Sequence, residues 1–212
     1  MCNFTSPKLL ASKIILMNDS FIFLADGFEE IEALTAVDVL RRAGMRVKTV
    51  SITSSLQVTG AHGVTVTADV IYDNTLFTNP EWLILPGGMP GAQNLHDFAP
   101  LQGLLKRQAQ LQEGRIAAIC AAPAVVLGEL GLLEGHEATC YPGFESKMRG
   151  AKVVDRPVVT DSKFVLGNGP SNALDWALTI VAVTKGNSDA ENVASAMLRY
   201  TLANQDIVNF FG

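Results

Sequence analysis

Residues 115–123 read Arg-Ile-Ala-Ala-Ile-Cys-Ala-Ala-Pro and place one cysteine, Cys120, between a predicted strand and a predicted helix. Residues 116–119 are apolar without alternation, which is typical of a strand that is buried on both faces. Pro123 is well placed in a first helical turn, and a run of apolar residues follows it. A strand that turns sharply into a helix therefore presents Cys120 at the junction, as in enzymes that carry their nucleophile on such an elbow.

Two interpretations of Cys120 follow from this position. A cysteine can simply be a small buried residue of the core. At a strand-to-helix junction, however, the free backbone N–H groups and the dipole of the helix start favour the thiolate, and we expect a pKa below the usual value of about 8.5. The elbow favours the second interpretation, in which Cys120 is a reactive nucleophile.

The remainder of the sequence alternates predicted strands with predicted helices. Strands are expected within residues 21–25, 47–52, 64–70, 82–85 and 151–166, and helices at residues 29–43, 100–112, 171–184 and 190–203. Such alternation implies a parallel sheet that is covered on both faces by helices. Ligands of these sheets bind beyond the carboxyl ends of the strands, where residues 25–27, residues 86–88 and Cys120 are expected.

Composition limits the class of protein. The 212 residues are 48% hydrophobic and 17% charged, which allows a sizeable core and most simply a single domain. The net charge of −5, without a basic patch, argues against nucleic acid as the main partner, and no apolar run is long enough to span a membrane. Three widely spaced cysteines fit neither a disulfide framework nor a metal cluster, so we expect a cytoplasmic protein without a metal site.

The first residues differ from the rest of the chain. Residues 8–16 are mostly apolar and loosely resemble the core of a short signal peptide, but Lys13 interrupts them and no well-placed cleavage site follows. Met17 directly precedes the first strand and is a candidate start. We therefore expect residues 1–16 to be a mobile extension and residues 17–212 to form one domain.

Glu32 is an unusual residue in the first predicted helix. At about 100° per residue it lies inside the apolar arc of the helix, between Val39 and Ala43. A carboxylate on a core-facing side is costly unless it is paired or protonated. Two interpretations stay open: the side chain caps a crevice and reaches water, or it stays partly neutral beside the thiolate and donates a hydrogen bond to sulfur. Glu29 and Glu30, in the first turn, are explained by the helix dipole alone.

Four motifs together resemble those of a known family. They are Ala25-Asp-Gly-Phe-Glu-Glu-Ile-Glu32, Leu85-Pro-Gly-Gly-Met-Pro-Gly-Ala-Gln-Asn94, Ala117-Ala-Ile-Cys-Ala-Ala-Pro123 and Gly167-Asn-Gly-Pro170. Their order resembles that of the ThiJ/PfpI superfamily, in the branch of the human parkinsonism-associated protein deglycase and its bacterial relatives. The resemblance runs from about residue 21 to residue 202. It implies a flavodoxin-like three-layer α/β sandwich with a mostly parallel sheet and helices on both faces, and usually a homodimer.

The resemblance also implies roles for individual residues. Cys120 corresponds to the nucleophile and Glu32 to the helix glutamate, and the backbone N–H groups of Gly88 and Ala121 form an oxyanion-binding pair. The further residues of the implied pocket are Gly87, Tyr141, Pro142, Asn168, Gly169 and Pro170. The Gly87-Gly88 pair has a second interpretation, as an ordinary tight turn after a buried strand.

Two positions depart from the family pattern. Many members have a His-Pro pair near the cysteine, where this chain has Tyr141-Pro142. The protease-like branch has histidine directly after the nucleophile, where this chain has Ala121. These departures argue against a peptidase and against a glutamine amidotransferase with a Cys-His-Glu triad. They leave Glu32 as the evident proton carrier.

The sequence offers few other bases or redox partners. The histidines lie outside the matched motifs and are expected at the surface: His62, His96 and His136. His62 and Asn168 also stand where the human relative has pocket arginines, which weakens the case for anion recognition there. Cys140 is an additional thiol that is either structural or a redox partner.

The resemblance leaves two functional classes open. In the first, the protein is a stress-response glyoxalase or deglycase that needs no cofactor and acts on methylglyoxal-type dicarbonyls or their early protein adducts. Cys120 then attacks the aldehyde, and Glu32 moves a proton between carbon and oxygen. In the second, it is a redox-sensing, chaperone-like protein in which Cys120 is oxidised to a sulfinate held by Glu32, Gly88 and Ala121. The enzyme is the preferred interpretation.

Overall fold

The computed structural model describes residues 18–199, and the predicted extension at residues 1–16 lies outside this range. Its strands are β1 (Ser20–Leu24), β2 (Val47–Ser51), β3 (Gln57–Thr59), β4 (Thr65–Thr67), β5 (Val70–Ile71), β6 (Trp82–Leu85), β7 (Arg115–Ile119), β8 (Glu137–Ala138), β9 (Lys152–Val153), β10 (Val158–Asp161) and β11 (Phe164–Gly167). Its α-helices are α1 (Glu30–Arg42), α2 (Gly91–Asp97), α3 (Ala99–Gln110), α4 (Ala173–Lys185) and α5 (Asn187–Ala196).

Seven of these strands form one sheet in the order β10-β11-β7-β6-β1-β2-β5. Every neighbouring pair is parallel except β10 with β11. The central strands β1, β6 and β7 are almost completely buried, because helices cover the sheet: α1 packs against β1, β2 and α4, while α3 packs against β7 and α2. Continuous apolar runs suit strands in this position. The mostly parallel sheet with helices around it confirms the predicted α/β sandwich.

Several short elements differ from the predictions. β3 and β4 form a separate antiparallel hairpin. In this part of the chain the sequence predicted strands at residues 64–70, so β3 was not predicted. Helix α2 was not predicted, because it begins at a glycine and contains an asparagine, both of which have low helix propensity. The last predicted helix ends earlier, at Ala196, and the part of it beyond residue 199 lies outside the described residues. No helix among the described residues is long and apolar enough to cross a membrane.

The element after Cys120 is helical, as predicted, but it is a single wide turn. Pro123–Gly128 forms a π-helix rather than an α-helix, and the Glu129 and Leu132 N–H groups bond to carbonyls five residues earlier. Such wide turns frequently occur at functional sites. The six residues of this π-helix are buried.

The order of the strands brings the sequence motifs together. β1, β6 and β7 are neighbours and run parallel, so their carboxyl ends meet at one edge of the sheet. The chain leaves these three ends at Ala25, at Pro86 and at Cys120 respectively. A candidate site therefore lies where three separate sequence motifs meet.

Candidate active site

Cys120 has a left-handed backbone conformation at the end of β7. Its φ angle is 62°, a conformation that residues other than glycine rarely adopt and that persists only where the surrounding structure enforces it. The Cys120 N–H donates to the Gly167 carbonyl at 2.9 Å, and the Cys120 carbonyl accepts from the Tyr141 N–H at 2.8 Å. The strand therefore ends in the sharp turn that the sequence predicts, with the cysteine only 9% exposed.

Glu32, from the first turn of α1, lies beside this cysteine. Its side chain is fully buried, and its Oε2 accepts a hydrogen bond from the Gly87 backbone N–H at 2.7 Å. The Cys120 thiol is the other hydrogen-bonding neighbour of this carboxyl. No nitrogen or oxygen of residues 18–199 donates to Oε1. Of the two interpretations of Glu32, the one in which it reaches water is wrong, and the carboxyl lies beside the thiol.

The environment raises the pKa of both side chains. Burial raises the pKa of Glu32 to about 7, against smaller opposing effects of the hydrogen bonds with Gly87 and Cys120. Burial and the negative charge of Glu32 raise the pKa of Cys120 to about 12, although the Gly88 and Ala121 N–H groups oppose this shift. The predicted pKa below the usual thiol value is therefore wrong. The amides invoked in that prediction are present, but loss of water around the sulfur outweighs them.

The ionisation of each group depends on the other. When Glu32 carries a proton, its charge no longer opposes the thiolate, and its O–H can donate to the sulfur. When Glu32 is ionised, it can accept the thiol proton of Cys120. A base whose pKa is about 7 is matched to neutral pH. The arrangement therefore permits proton exchange between the two side chains without a histidine.

Two glycines let the backbone after β6 pack closely against Cys120 and against the segment after β1. The N–H groups of Gly88 and Ala121 both face Cys120, which is the arrangement of donors that stabilises a developing oxyanion. A Cβ atom at Gly87 would lie 2.7 Å from the Cβ of Cys120 and 2.9 Å from Oε2 of Glu32. Gly88 has a φ of 85°, and a Cβ there would lie 2.5 Å from the backbone after β1. Neither glycine has room for a side chain, so a turn alone does not explain the pair.

Tyr141 and Gly169 adjoin the cysteine turn. Besides its backbone hydrogen bond to Cys120, Tyr141 has a half-exposed ring, and a Cβ at Gly169 would lie 3.6 Å from that ring. Pro170 begins a short 3₁₀ turn, Pro170–Asn172, that leads into α4. The loop after β11 therefore faces the Tyr141 ring.

Pro142 and Asn168 line a neighbouring cavity of about 340 Å³ together with Cys140. Burial, followed by the charge of Glu145, raises the pKa of Cys140 to about 12. Glu145 acts on this thiol through its charge, whereas the carboxyl beside Cys120 also forms a hydrogen bond. Both described cysteines are free thiols. A buried thiol without a bonded base is poorly reactive, which favours the structural interpretation of Cys140.

The histidines lie at the surface or partly exposed, but one has a setting that the sequence did not reveal. The His62 side chain is 70% exposed, yet its Nδ1 lies 2.8 Å from Oε2 of Glu30 and 3.4 Å from Oε2 of Glu29. Both glutamates are buried, so the helix dipole alone does not explain them. His96 and His136 pair with other acidic residues. The adjacent glutamates Glu29 and Glu30 were the sequence signal for this cluster. Their partner His62 lies 32 residues from Glu30, so the sequence did not reveal the contact.

A metal ion is not needed to explain this cluster. Glu29, Glu30 and His62 have ligand atoms within 4.8 Å of one another, and they are the group of the described residues that could hold a metal ion. The oxygens of Glu30 already accept hydrogen bonds from His62 and Val64. The sequence-based expectation of no metal stays a prediction.

Comparison with known sequences identifies related proteins. The profile of the DJ-1/PfpI family matches residues 20–183. Protein DJ-1 homolog B of Arabidopsis thaliana is 36% identical over 177 residues, which make up 82% of this chain but 40% of that protein. This chain therefore spans less than half of that relative. The glutathione-independent glyoxalase DJR-1.2 of Caenorhabditis elegans is 34% identical over 160 residues, which make up 74% of this chain and 83% of that protein.

Comparison with solved structures gives the same fold. The structure described as Toxoplasma gondii DJ-1, oxidized, has a TM-score of 0.82 and 35% sequence identity with this chain. The similarity covers 86% of this chain and 100% of that one. The flavodoxin-like fold implied by the sequence motifs is therefore shared along nearly the whole of the described chain.

We expect Glu32→Gln to change how the free energy of unfolding depends on pH. The pKa of Glu32 is raised to about 7 in the folded protein, so its favourable contribution is complete below its ordinary pKa and is lost as pH rises through the folded value. Wild-type protein should lose about 3 kcal/mol relative to the glutamine variant between roughly pH 4.5 and pH 8. Urea unfolding at both pH values measures this difference, and equal changes in the two proteins would contradict it.

Proposed function

This chain belongs to the DJ-1/PfpI family, and we propose that it is a cysteine-dependent glyoxalase or deglycase that acts on methylglyoxal-type dicarbonyls or their early protein adducts. The observation that carries this proposal is the buried carboxyl of Glu32, which has a pKa of about 7 and hydrogen-bonds with the Cys120 thiol. The similarity to a glutathione-independent glyoxalase supports it. The proposed reaction requires a nucleophile and one proton carrier, and no cofactor.

In the first step, Glu32 takes the thiol proton while the Cys120 sulfur attacks the aldehyde carbon of methylglyoxal. The carbon–sulfur bond forms, the carbonyl π bond breaks, and negative charge develops on the aldehyde oxygen. The N–H groups of Gly88 and Ala121 face the sulfur and are therefore close to the oxygen on the carbon that it attacks. Return of the proton from Glu32 to that oxygen gives a hemithioacetal.

In the second step, Glu32 moves another proton. As a carboxylate it removes the proton from the carbon bonded to sulfur, which gives an enediolate, and the hydroxyl proton of that carbon passes to the former ketone oxygen. Glu32 then delivers its proton to the neighbouring carbon. The aldehyde carbon is thereby oxidised and the ketone carbon is reduced, which leaves a lactate thioester on Cys120. Water hydrolyses this thioester to D-lactate and the free thiol. All electrons stay within the substrate, which is why the reaction needs no redox cofactor.

The second candidate function is redox sensing with chaperone-like activity. The observation that favours it is the same buried site, since two N–H groups and the Glu32 carboxyl form hydrogen bonds with the Cys120 side chain. A sulfinate could accept hydrogen bonds from the amides and from a protonated carboxyl. This function uses the residues of the enzyme and differs only in the reaction of the thiol.

We propose a homodimer in a reducing cytoplasm as the working form of the protein. Ile31 and Leu34 on α1 are 57% and 41% exposed, so the outer side of this helix presents an apolar surface. A two-fold dimer would cover this surface with the same residues of a second copy. The free thiols of Cys120 and Cys140 fit a reducing compartment.

We expect the purified protein to convert methylglyoxal to D-lactate and Cys120→Ser to abolish this activity, because the nucleophile is lost. Glu32→Gln should lower turnover by about 10²-fold or more, the usual scale for general acid–base catalysis. Tyr141→Phe should change turnover little, because a phenol is a poor base at neutral pH. An enzymatic assay of D-lactate measures all of these variants.

Cys140→Ser is the matched control for this assay, because it removes a second buried thiol outside the proposed reaction. It should retain activity if its fold is intact by circular dichroism. If Glu32→Gln keeps most of the activity while Cys120→Ser abolishes it, the thiol reacts without the proposed proton shuttle, and the mechanism is wrong.

We expect mild peroxide to add two oxygens selectively to Cys120, because its sulfur has a carboxyl and two amides to hold the sulfinate. Glu32→Gln should alter the distribution of oxidation products. Intact-mass and peptide mass spectrometry measure both effects. Oxidation spread over methionines with Cys120 untouched would count against redox sensing.

We expect light scattering to find a dimer at micromolar concentration. Replacing Ile31 and Leu34 by aspartate should shift it toward monomer, because charge would be buried in the proposed contact. Leu111→Asp is the matched control, since Leu111 is similarly exposed, at 45%, but lies after α3. A wild-type monomer would refute the proposed assembly.

A further inference from the structure

Glu30 holds the turn of the β3–β4 hairpin against the start of α1. Its Oε1 accepts the backbone N–H groups of His62 at 2.7 Å and Val64 at 3.4 Å, and its Oε2 lies 2.8 Å from Nδ1 of His62. A Cβ at Gly60 would lie 2.3 Å from the Glu30 carboxyl, so only glycine permits so close an approach. Glu30 is 7% exposed. One buried carboxylate thus accepts the backbone N–H groups of two residues of this turn and also bonds to the His62 ring.

The same hairpin holds the segment between β1 and α1. The Thr59 carbonyl accepts from the Gly27 N–H at 2.8 Å, and the Ala61 N–H donates to the Phe28 carbonyl at 2.8 Å. The Thr59 N–H also donates to the Asp26 side chain at 2.9 Å. These bonds tie residues 26–28 to the hairpin, just before the helix whose first residue anchors the turn.

Residues 26–29 form the support against which Gly88 packs. The Glu29 N–H donates to the Gly87 carbonyl at 3.0 Å, and the Gly91 N–H donates to the Gly27 carbonyl at 3.1 Å. A Cβ at Gly88 would lie 2.5 Å from the Glu29 nitrogen and 2.5 Å from the Gly27 oxygen. Because there is no free space at this contact, a shift of the segment moves the Gly88 amide.

We infer that Glu30 is a positioning residue for the active site. Glu30 acts on the Gly88 amide through the β3–β4 hairpin and residues 26–29, and His62 makes this positioning depend on pH. The effect on catalysis rests on the proposed function, because the Gly88 amide influences a rate only if Cys120 attacks a carbonyl. The link from His62 to Gly88 is a matter of geometry and is measurable without turnover.

His62 supplies the part of this contact that titrates near neutral pH. The hydrogen bond with Glu30, followed by the charges of Glu29 and Glu30, raises the pKa of His62. Among the described residues these two carboxylates at the start of α1, from the capping residue Glu29 and from Glu30, are its ion-pair partners, and the turn at residues 60–64 carries no other charge. Burial alone would raise the pKa of Glu30, but hydrogen bonds from His62 and from backbone amides lower it, so Glu30 stays ionised.

The direction of the pH effect follows from the raised pKa of His62. The imidazolium form binds Glu30 more strongly, so this stabilisation is complete in acid and is lost as pH rises through the folded pKa. The backbone hydrogen bonds of Glu30 remain. The hairpin contact is therefore tight when His62 is protonated and weakens, without breaking, when His62 is neutral.

The test compares His62→Arg, whose charge is permanent, with His62→Gln, which is neutral at every pH. Both variants and the unaltered His62 are placed in Glu32→Gln protein, so that Glu32 does not titrate in the same range. The proton–nitrogen resonance of Gly88 and the hydrogen-exchange protection of Ala61 are followed from about pH 5.5 to about pH 9. His136→Gln is the matched control, because His136 also pairs with an acidic residue, Asp161.

We expect the Gly88 resonance and the Ala61 protection of the protein with His62 to equal those of the arginine variant at the acidic end of the range. At the alkaline end they should equal those of the glutamine variant. The midpoint should coincide with the titration of the His62 ring, and His136→Gln should leave the pattern unchanged. The inference is overturned if Gly88 does not respond through that titration, or if His62→Gln responds in the same way as His62.

Methylglyoxal kinetics in the protein with Glu32 intact form the second arm. At about pH 8.5 the arginine variant should have up to about tenfold higher kcat than wild type or His62→Gln, with KM unchanged. Displacing the Gly88 N–H should lower kcat less than removing such a donor altogether, which lowers kcat by about 10²–10³-fold. Equal kcat values for the three proteins would overturn the catalytic role. If wild type forms no D-lactate, the proposed function fails, and the resonance experiment still decides the inference.

Discussion

The contact between the Glu32 carboxyl and the Cys120 thiol is the constraint on which the rest of the site depends. A fully buried carboxyl must have partners, and here they are the thiol and the Gly87 N–H. The partners come from the ends of β7 and β6, while Glu32 comes from α1, which follows β1. One side chain thus joins the ends of three neighbouring strands. Burial of each group raises the pKa of both acids, and the charge of Glu32 raises that of Cys120 further, which couples the structure of the site to its proton chemistry.

Close backbone packing is the second requirement, and it extends the site beyond its reactive residues. Gly87 and Gly88 lie where a Cβ atom would collide with the cysteine or with the segment after β1. Gly60, in the turn of the β3–β4 hairpin, likewise lies where a Cβ atom would collide with the Glu30 carboxyl. These close contacts are the route by which we infer that a charge change at the exposed His62 ring reaches the Gly88 amide.

The acidity of Cys120 shows where inference from local sequence ends. The strand-to-helix elbow and the amides that favour a thiolate are both present. Burial of the sulfur and the charge of Glu32 nevertheless outweigh them, because desolvation is set by everything packed around an atom. His62 gives a parallel case: its sequence neighbours carry no charge, and its partners come from a helix that is distant in the chain.

The sequence by itself determined the alternation of strands and helices, the elbow at Cys120 and the inward side of α1 that carries Glu32. These features follow from periodicity and from local backbone preferences, which neighbouring residues encode. Only the tertiary structure decided the pKa values, the π-helical turn after Cys120, and the hairpin that Glu30 anchors against the Gly88 support. These features depend on the distances between segments far apart in the chain and on the water that their packing removes. Local sequence patterns determine neither quantity.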